Sequence, residues 1–241
     1  SLNYKPRGSE EVRKAGLAFL SMRNRIEKHL EQRTKMLSSV SHDLRTPLTR
    51  LKLSLSFLKK NKDVIEMLKD IDNMSKMLDT FLTFSKNVYE EETEEIILED
   101  FLNDLIQKNK DHYKKINFEL NSDINKQTSL PIRLTSLERA FQNLIDNSSN
   151  FAKKIHINLY NNKKFIIICF EDNGPGIKKA DRENALKPFT RLDNSRNQNL
   201  HAGVGLGLSI SKDIILNHGG TLSLEDSEEL KGLKIKIALP K

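Results

Sequence analysis

The sequence predicts an α+β protein in two parts: an N-terminal helical hairpin of the kind that forms a dimeric four-helix bundle, followed by an α/β sandwich. Three observations predict it. Apolar residues step by threes and fours from Leu37 to Leu58, and again from Val64 to Leu82. The acidic run Glu90-Glu91-Glu92-Thr93-Glu94-Glu95 then interrupts that period and reads as a linker. Beyond it the texture changes to short apolar runs such as Ile166-Ile167-Ile168-Cys169-Phe170, alternating with single helices and Gly-rich turns.

Taken in order, a helix is expected from Glu10 to about Leu58. Leu37, Val40, Leu44, Leu48, Leu51, Leu55 and Leu58 form its stripe, and Pro47 is its interior breaker of note. The cluster Lys59–Asp63 reads as a short turn, with Asp63 as N-cap. Val64, Met67, Leu68, Ile71, Met74, Leu78, Phe81 and Leu82 give the returning helix. One hairpin leaves much of each stripe uncovered, and a two-fold partner is the economical cover. After the acidic run, strands are expected at Ile96–Leu98 and Ile116–Leu120, with a helix near Asp100–Lys110 between them. Leu134–Asn150 is helical, and Ile155–Tyr160 with Lys164–Glu171 makes a hairpin around Asn161-Asn162. An irregular stretch spans Asp172 to Gly205. A helix near Leu206–Asn217 stops at Gly219-Gly220, and strands near Thr221–Glu225 and Leu233–Leu239 follow.

With 241 residues, 37% hydrophobic and 30% charged, the chain can bury a core but not a generous one. The net charge of +7 suits a phosphate- or carboxylate-bearing partner. The Lys and Arg residues are scattered, with no basic arm of interleaved aromatics, so no nucleic-acid partner is expected. The single cysteine, Cys169, excludes an internal disulfide and fits a reducing setting. No apolar stretch approaches the ~20 residues of a bilayer span. The first residues do not resemble a signal peptide, and an opening on Ser1 is expected of a sequence cut from a longer one.

On a wheel at ~100° per residue, His42 falls about 155° from the apolar stripe, so it should face solvent with Thr46 on its face and Asp43 on its flank. Pro47 removes one backbone hydrogen bond and should bend the helix within a turn of His42. A neutral imidazole is a nucleophile, and an adjacent carboxylate can hold the proton of its other nitrogen. Ser41-His42-Asp43-Leu44-Arg45-Thr46-Pro47-Leu48-Thr49 resembles the phospho-acceptor box of sensor histidine kinases, in particular the EnvZ-like osmosensor class. The resemblance implies that His42 accepts a phosphoryl group, Asp43 acts as general base, and Thr46 positions water for dephosphorylation.

Four later segments are each ambiguous alone. Asn143 and Asn147 share one helix face, as an exposed polar face would, but carboxamides also serve Mg²⁺ and phosphate. Asp172-Asn173-Gly174-Pro175-Gly176 follows an apolar strand and could be a simple turn or a purine-binding carboxylate beside close-approach glycines. Lys187-Pro188-Phe189-Thr190-Arg191 offers an aromatic anchor beside a polar loop. Gly203-Val204-Gly205-Leu206-Gly207-Leu208 opens a helix and could cradle phosphate, although the strand-first context of a dinucleotide fingerprint is missing.

In this order the four resemble the N, G1, F and G2 boxes of the GHKL ATPase fold, which histidine kinases share with DNA gyrase, heat-shock chaperones and mismatch-repair ATPases. The resemblance implies ATP and Mg²⁺ as cofactors, with Asn143 and Asn147 near phosphates, Asn147 on the metal, and Asp172 on adenine. It gives Phe151 a place near the base, and Gly174, Gly176, Phe189, Arg191, Gly203, Gly205, Gly207 and Leu208 the pocket and lid. Asn150 stands where many relatives carry Lys or Arg, and Leu192 where close relatives carry Gly; Arg191 or Lys153 could compensate. By resemblance the domains are 1–28, the end of a HAMP-like signalling helix; 29–92, dimerisation and phosphotransfer; and 93–241, ATP binding. The implied protein is a homodimeric protein-histidine kinase. It would autophosphorylate His42, pass the phosphoryl group to an aspartate of an OmpR-like response regulator, and dephosphorylate that regulator. It would form the cytoplasmic part of a bacterial inner-membrane sensor whose membrane-spanning segments lie upstream. The alternative is a GHKL-fold pseudokinase, or an ATPase without phosphohistidine chemistry.

Overall fold

The apolar step of three and four residues folds as two helices, α1 (Glu10–Ser56) and α2 (Lys62–Lys86). The structure is a computed structural model that describes residues 7, 9–59, 61–86, 91–125, 127–190 and 205–241. The chain divides into two compact units, Ser1–Lys86 and Asn87–Lys241. Helix α1 continues through Pro47. The turn is capped one residue before the start of α2, where Asn61 Oδ1 accepts a hydrogen bond from Val64 N–H at 2.8 Å. Asn61, not Asp63, is therefore the N-cap, and Asp63 lies in the first turn, where its charge suits the helix dipole. Leu48, Val64 and Ile71 are buried, and Lys52 pairs with Asp72 at 2.7 Å. Val40, Leu44, Leu51, Leu58, Met67 and Met74 of the predicted stripes remain exposed. A single hairpin thus leaves a long apolar face uncovered, as expected of half a bundle. The side chains of Phe81 and Leu82 lie outside the described residues.

In the second unit the acidic run does more than connect. Glu94–Ile97 forms strand β1, paired antiparallel with β3 (Ser129–Ile132). Strand β3 is not legible in the sequence because Pro131 sits within it; a two-stranded sheet tolerates this, since a proline needs only an edge without a donor. The remaining strands are β2 (Asn117–Asp123), β4 (Lys154–Asn161), β5 (Phe165–Asp172), β6 (Thr221–Asp226) and β7 (Leu233–Pro240). They form one sheet in the order β2-β4-β5-β7-β6, parallel only between β2 and β4. Alternation assigns the faces. Ile155, Ile157 and Leu159 of β4, Ile166, Ile168 and Phe170 of β5, and Leu233, Ile235, Ile237 and Leu239 of β7 join one core. Against them pack Leu98, Leu102 and Leu105 of α3 (Leu98–His112), Leu137, Phe141 and Leu144 of α4 (Leu134–Ser149), and Ile215 of α6 (Gly207–Asn217). The short helix α5 (Arg182–Ala185) and the 3₁₀ turn before it interrupt the stretch read as irregular.

The opposite face of the sheet is polar. Glu171 accepts from Ser227 Oγ at 2.6 Å and from Asn158 Nδ2 at 3.1 Å, with Lys234 at 3.4 Å. Cys169 is buried there beside the Tyr160 hydroxyl, 3.6 Å away.

Candidate active site

His42 projects from α1 with its side chain 80% exposed, whereas its neighbour Ser41 is buried. Its Nδ1 faces Asp43 Oδ1 at 3.4 Å, and Thr46 Oγ1 donates back to the His42 carbonyl at 3.4 Å. His42, Asp43 and Thr46 share an exposed face, as the helical wheel predicts. With Nδ1 turned to the carboxylate, Nε2 is the nitrogen presented to solvent.

In the second unit, α4 organises the residues predicted to hold nucleotide. Its first turn is closed by Glu91, whose carboxylate accepts from Thr135 N–H, Ser136 N–H (3.0 Å) and Ser136 Oγ. These donors hold the Glu91 carboxyl below its usual range, against the opposing effect of its burial. Two turns on, the Nδ2 of Asn143 is buried with no hydrogen-bond partner. A buried amide donor without an acceptor is costly, so an oxygen-bearing ligand at this point would relieve it. Gly207, the first residue of α6, lies over Asn143, where an added Cβ would come 3.7 Å from the Asn143 Cβ. Asn147, one turn further, is half-buried.

At the C-terminal end of α4 stands Asp172, the last residue of β5, 4% exposed. Its Oδ1 accepts from the N–H groups of Gly174 (2.8 Å) and Leu233 (3.2 Å), and its Oδ2 from the Ser148 hydroxyl (3.0 Å). The carboxylate is thus fixed in orientation, and Oδ2 keeps capacity for a donor such as an exocyclic amino group. The cradle is tight. A Cβ at Gly232 would lie 2.2 Å from the Asp172 carbonyl oxygen, and one at Gly174 would lie 2.9 Å from Oδ1 and 3.3 Å from the Phe151 Cβ. Phe151 therefore flanks the Asp172 turn, with its ring half-exposed. Asn173 Oδ1 accepts from the N–H groups of Lys153 and Lys154, anchoring the turn to β4.

Gly176 and Gly205 both have positive φ, 69° and 76°. Gly205 also abuts the Phe189-Thr190 backbone, where a Cβ would meet the Thr190 carbonyl oxygen at 2.7 Å. Phe189 itself adopts φ 60°, a conformation rare for an aromatic residue and a mark of local strain. Leu208 is half-buried against the core. Thus Asn143 and Gly207 meet, as do Phe189 and Gly205, and as do Phe151, Asp172 and Gly174. Arg191, Leu192 and Gly203 lie outside the described residues. Asn150 caps the end of α4, exposed, and Lys153 is likewise exposed. Sequence reasoning missed Ser148, Gly232 and Glu91. Ser148 was within reach, since it adjoins Asn147 on the helix facing the Asp172 turn. Gly232 and Glu91 act through contacts that no local pattern announces.

The donor set fits a nucleotide: an unpartnered buried amide, a fixed carboxylate, and a glycine-lined approach. Among the described residues no cluster of His, Cys, Asp and Glu could hold a metal by itself. No helix among them is long and apolar enough to cross a membrane.

Comparison with known proteins found two family matches within the chain. Residues 133–241 match the family described as histidine kinase-, DNA gyrase B-, and HSP90-like ATPase, and residues 32–89 match the His Kinase A (phospho-acceptor) domain. The chain is 30% identical over 242 residues to the sensor histidine kinase CpxA of Escherichia coli, covering 97% of this chain and 52% of that protein. It is 29% identical over 235 residues to the sensor histidine kinase GtrS of Pseudomonas aeruginosa, covering 98% of this chain and 48% of that one. The chain thus spans about half the length of the curated relatives it matches. Among solved structures, the mycobacterial sensor histidine kinase MprB superposes with a TM-score of 0.51 at 25% identity, covering 61% of this chain and 97% of that one.

Proposed function

We propose, from the premise that the chain belongs to the sensor histidine kinases, that it transfers the γ-phosphoryl group of ATP to His42 and then to an aspartate of a response regulator. The observation that carries the reading is His42 itself: an exposed imidazole on a helix, its Nδ1 turned to Asp43 and its Nε2 outward. Nε2 attacks the γ-phosphorus in line, the bond to the bridging oxygen breaks, and ADP leaves with that electron pair. Asp43 takes up the Nδ1 proton as the imidazole becomes cationic. Asn143 and Asn147 orient the phosphates, Asn147 would hold Mg²⁺, and Asp172 accepts from the adenine amino group beside Phe151. A bound Mg²⁺ would neutralise phosphate charge. Gly174, Gly176, Gly205, Gly207 and Leu208, with Phe189, line the approach in this reading; Gly203 and Arg191, which the resemblance adds to the set, lie outside the described residues.

The exposed stripe of α1 and α2 supports a homodimeric four-helix bundle. Thr46, one turn from His42, is the residue suited to place water for dephosphorylating the regulator, an OmpR-like receiver by resemblance. The domain reading of 1–28, 29–92 and 93–241 stands as part of this proposal, as does a place on the cytoplasmic side of a membrane-bound sensor.

The test is transfer of label from γ-labelled ATP. The product should survive alkali, be lost in acid, and be absent from His42→Gln; equal labelling of His42→Gln would refute the assignment.

A further inference from the structure

The face of α4 that carries Gln142 and Asp146 meets α3 through an unusual polar arrangement. Asn109 of α3 is 2% exposed, yet it and Gln142 of α4 exchange a reciprocal pair of amide bonds: Asn109 Nδ2 donates to Gln142 Oε1 at 2.9 Å, and Gln142 Nε2 donates to Asn109 Oδ1 at 2.8 Å. The second hydrogen of each amide is also used. Asn109 Nδ2 donates to the Leu105 carbonyl at 2.9 Å, and Gln142 Nε2 to Asp146 Oδ1 at 2.6 Å. One turn on, the Tyr113 hydroxyl, at the end of α3, donates to the same Asp146 oxygen at 2.9 Å. The result is a ladder of two rungs, Asn109–Gln142 and Tyr113–Asp146, with both partners spaced by four on each helix.

Burying amides where leucines would serve is costly unless every hydrogen is matched, and here every one is. Apolar packing tolerates a helix that rolls or slides; a reciprocal amide pair does not, because its bonds are directional. Gln142 and Asp146 immediately precede Asn143 and Asn147, about 100° around the helix. A roll of α4 by about 20° would sweep side-chain ends some ~2 Å along their arc. Hydrogen bonds and metal ligation tolerate a few tenths of an ångström.

We propose that Asn109, Gln142, Asp146 and Tyr113 are positioning residues that fix the roll of α4 and so aim Asn143 and Asn147 at the triphosphate. The inference rests on the nucleotide site proposed above. Its test uses the whole chain, with Mg²⁺ and a non-hydrolysable ATP analogue as the probe. The pair Asn109→Leu with Gln142→Leu removes both partners of a rung and keeps the packing apolar, so its melting temperature should stay within about 3 °C of the parent. Its affinity for the analogue should fall about tenfold. The exchanged pair, Asn109→Gln with Gln142→Asn, restores an amide rung and should recover most of that loss, which a merely structural role would not require. Tyr113→Phe keeps the ring and removes one rung. It should weaken binding about threefold, and it decides the matter if the leucine pair fails to fold. Parental affinity in the leucine pair, or in Tyr113→Phe should that pair not fold, overturns the ladder alone. A parent chain that binds no analogue overturns the ladder together with the nucleotide site.

Discussion

Removing the hydroxyl of Ser148 should weaken both the fold and its grip on nucleotide. Ser148 and Asp172 are 2% and 4% exposed, so water does not replace the lost donor freely. In Ser148→Ala, Oδ1 of Asp172 keeps both of its backbone donors, from Gly174 and Leu233, while Oδ2 loses the Ser148 hydroxyl. A hydrogen bond to a charged group contributes about 1.5–3 kcal/mol net, and we expect about 2 kcal/mol less stability in urea unfolding. The same carboxylate then accepts the base from a less fixed orientation. Each ~1.4 kcal/mol is a factor of ten, so calorimetric titration with a non-hydrolysable ATP analogue should show affinity reduced about tenfold. A double-mutant cycle with Asp172→Asn isolates the pair, since the Ser148 substitution should cost little once the carboxylate is gone. A Ser148→Ala chain as stable and as tight-binding as the parent, or full additivity in the cycle, would mean that the Ser148 hydroxyl does not hold the Asp172 carboxylate in place.

Three further outcomes follow from the geometry. Gly232→Ala places a Cβ 2.2 Å from the Asp172 carbonyl oxygen, and should cost about 3 kcal/mol or more in urea unfolding; an unshifted midpoint would be contrary. Glu91→Gln removes a charge from the first turn of α4, worth about 1 kcal/mol near neutrality. Because the folded Glu91 carboxyl lies below its unfolded value, that contribution is present above the unfolded range and lost as pH falls through the folded one; a stability gap that persists in acid would count against it. Tyr160, pushed up to about 12 chiefly by burial beside Cys169, should remain protonated in the native state after ordinary tyrosines have ionised. Stability is then full below the unfolded value near ~10 and lost as pH rises through about 12, a loss that Tyr160→Phe should lessen in alkaline unfolding followed by absorbance.

Much of this was legible because period and punctuation agree. The stripe from Leu37 to Leu58 places α1, and Gly219-Gly220 ends α6 where expected, with Gly219 at φ 72°. The outward facing of His42 follows from helical geometry alone. What was not legible depends on distant partners. Asn61 and Asp63 are equally good caps on paper, and the choice between them is made by the Asn61 side-chain oxygen, which accepts from Val64 N–H three residues on. Glu91 reads as one more charge in an acidic run until α4 supplies three donors for it. Pro131 argues against a strand, yet β3 pairs with only one neighbour and spares it the conflict. The candidate site shows the same division: Asn143, Asn147 and Asp172 are singled out by the order of boxes they resemble, while Ser148 and Gly232 matter only through what the fold lays against them.

The position of β7 has a consequence for how the protein is made. Although last among the strands in chain order, it lies inside the sheet, between β5 and β6, and its first residue donates to Asp172. A ribosome-bound chain that has released α4 and β5 therefore still lacks the Leu233 donor to Asp172 and the strand that pairs with the open side of β5. Partial translation products that stop short of β7 should leave the Asp172 carboxylate without one of its two backbone donors and the sheet without the strand that joins β5 to β6.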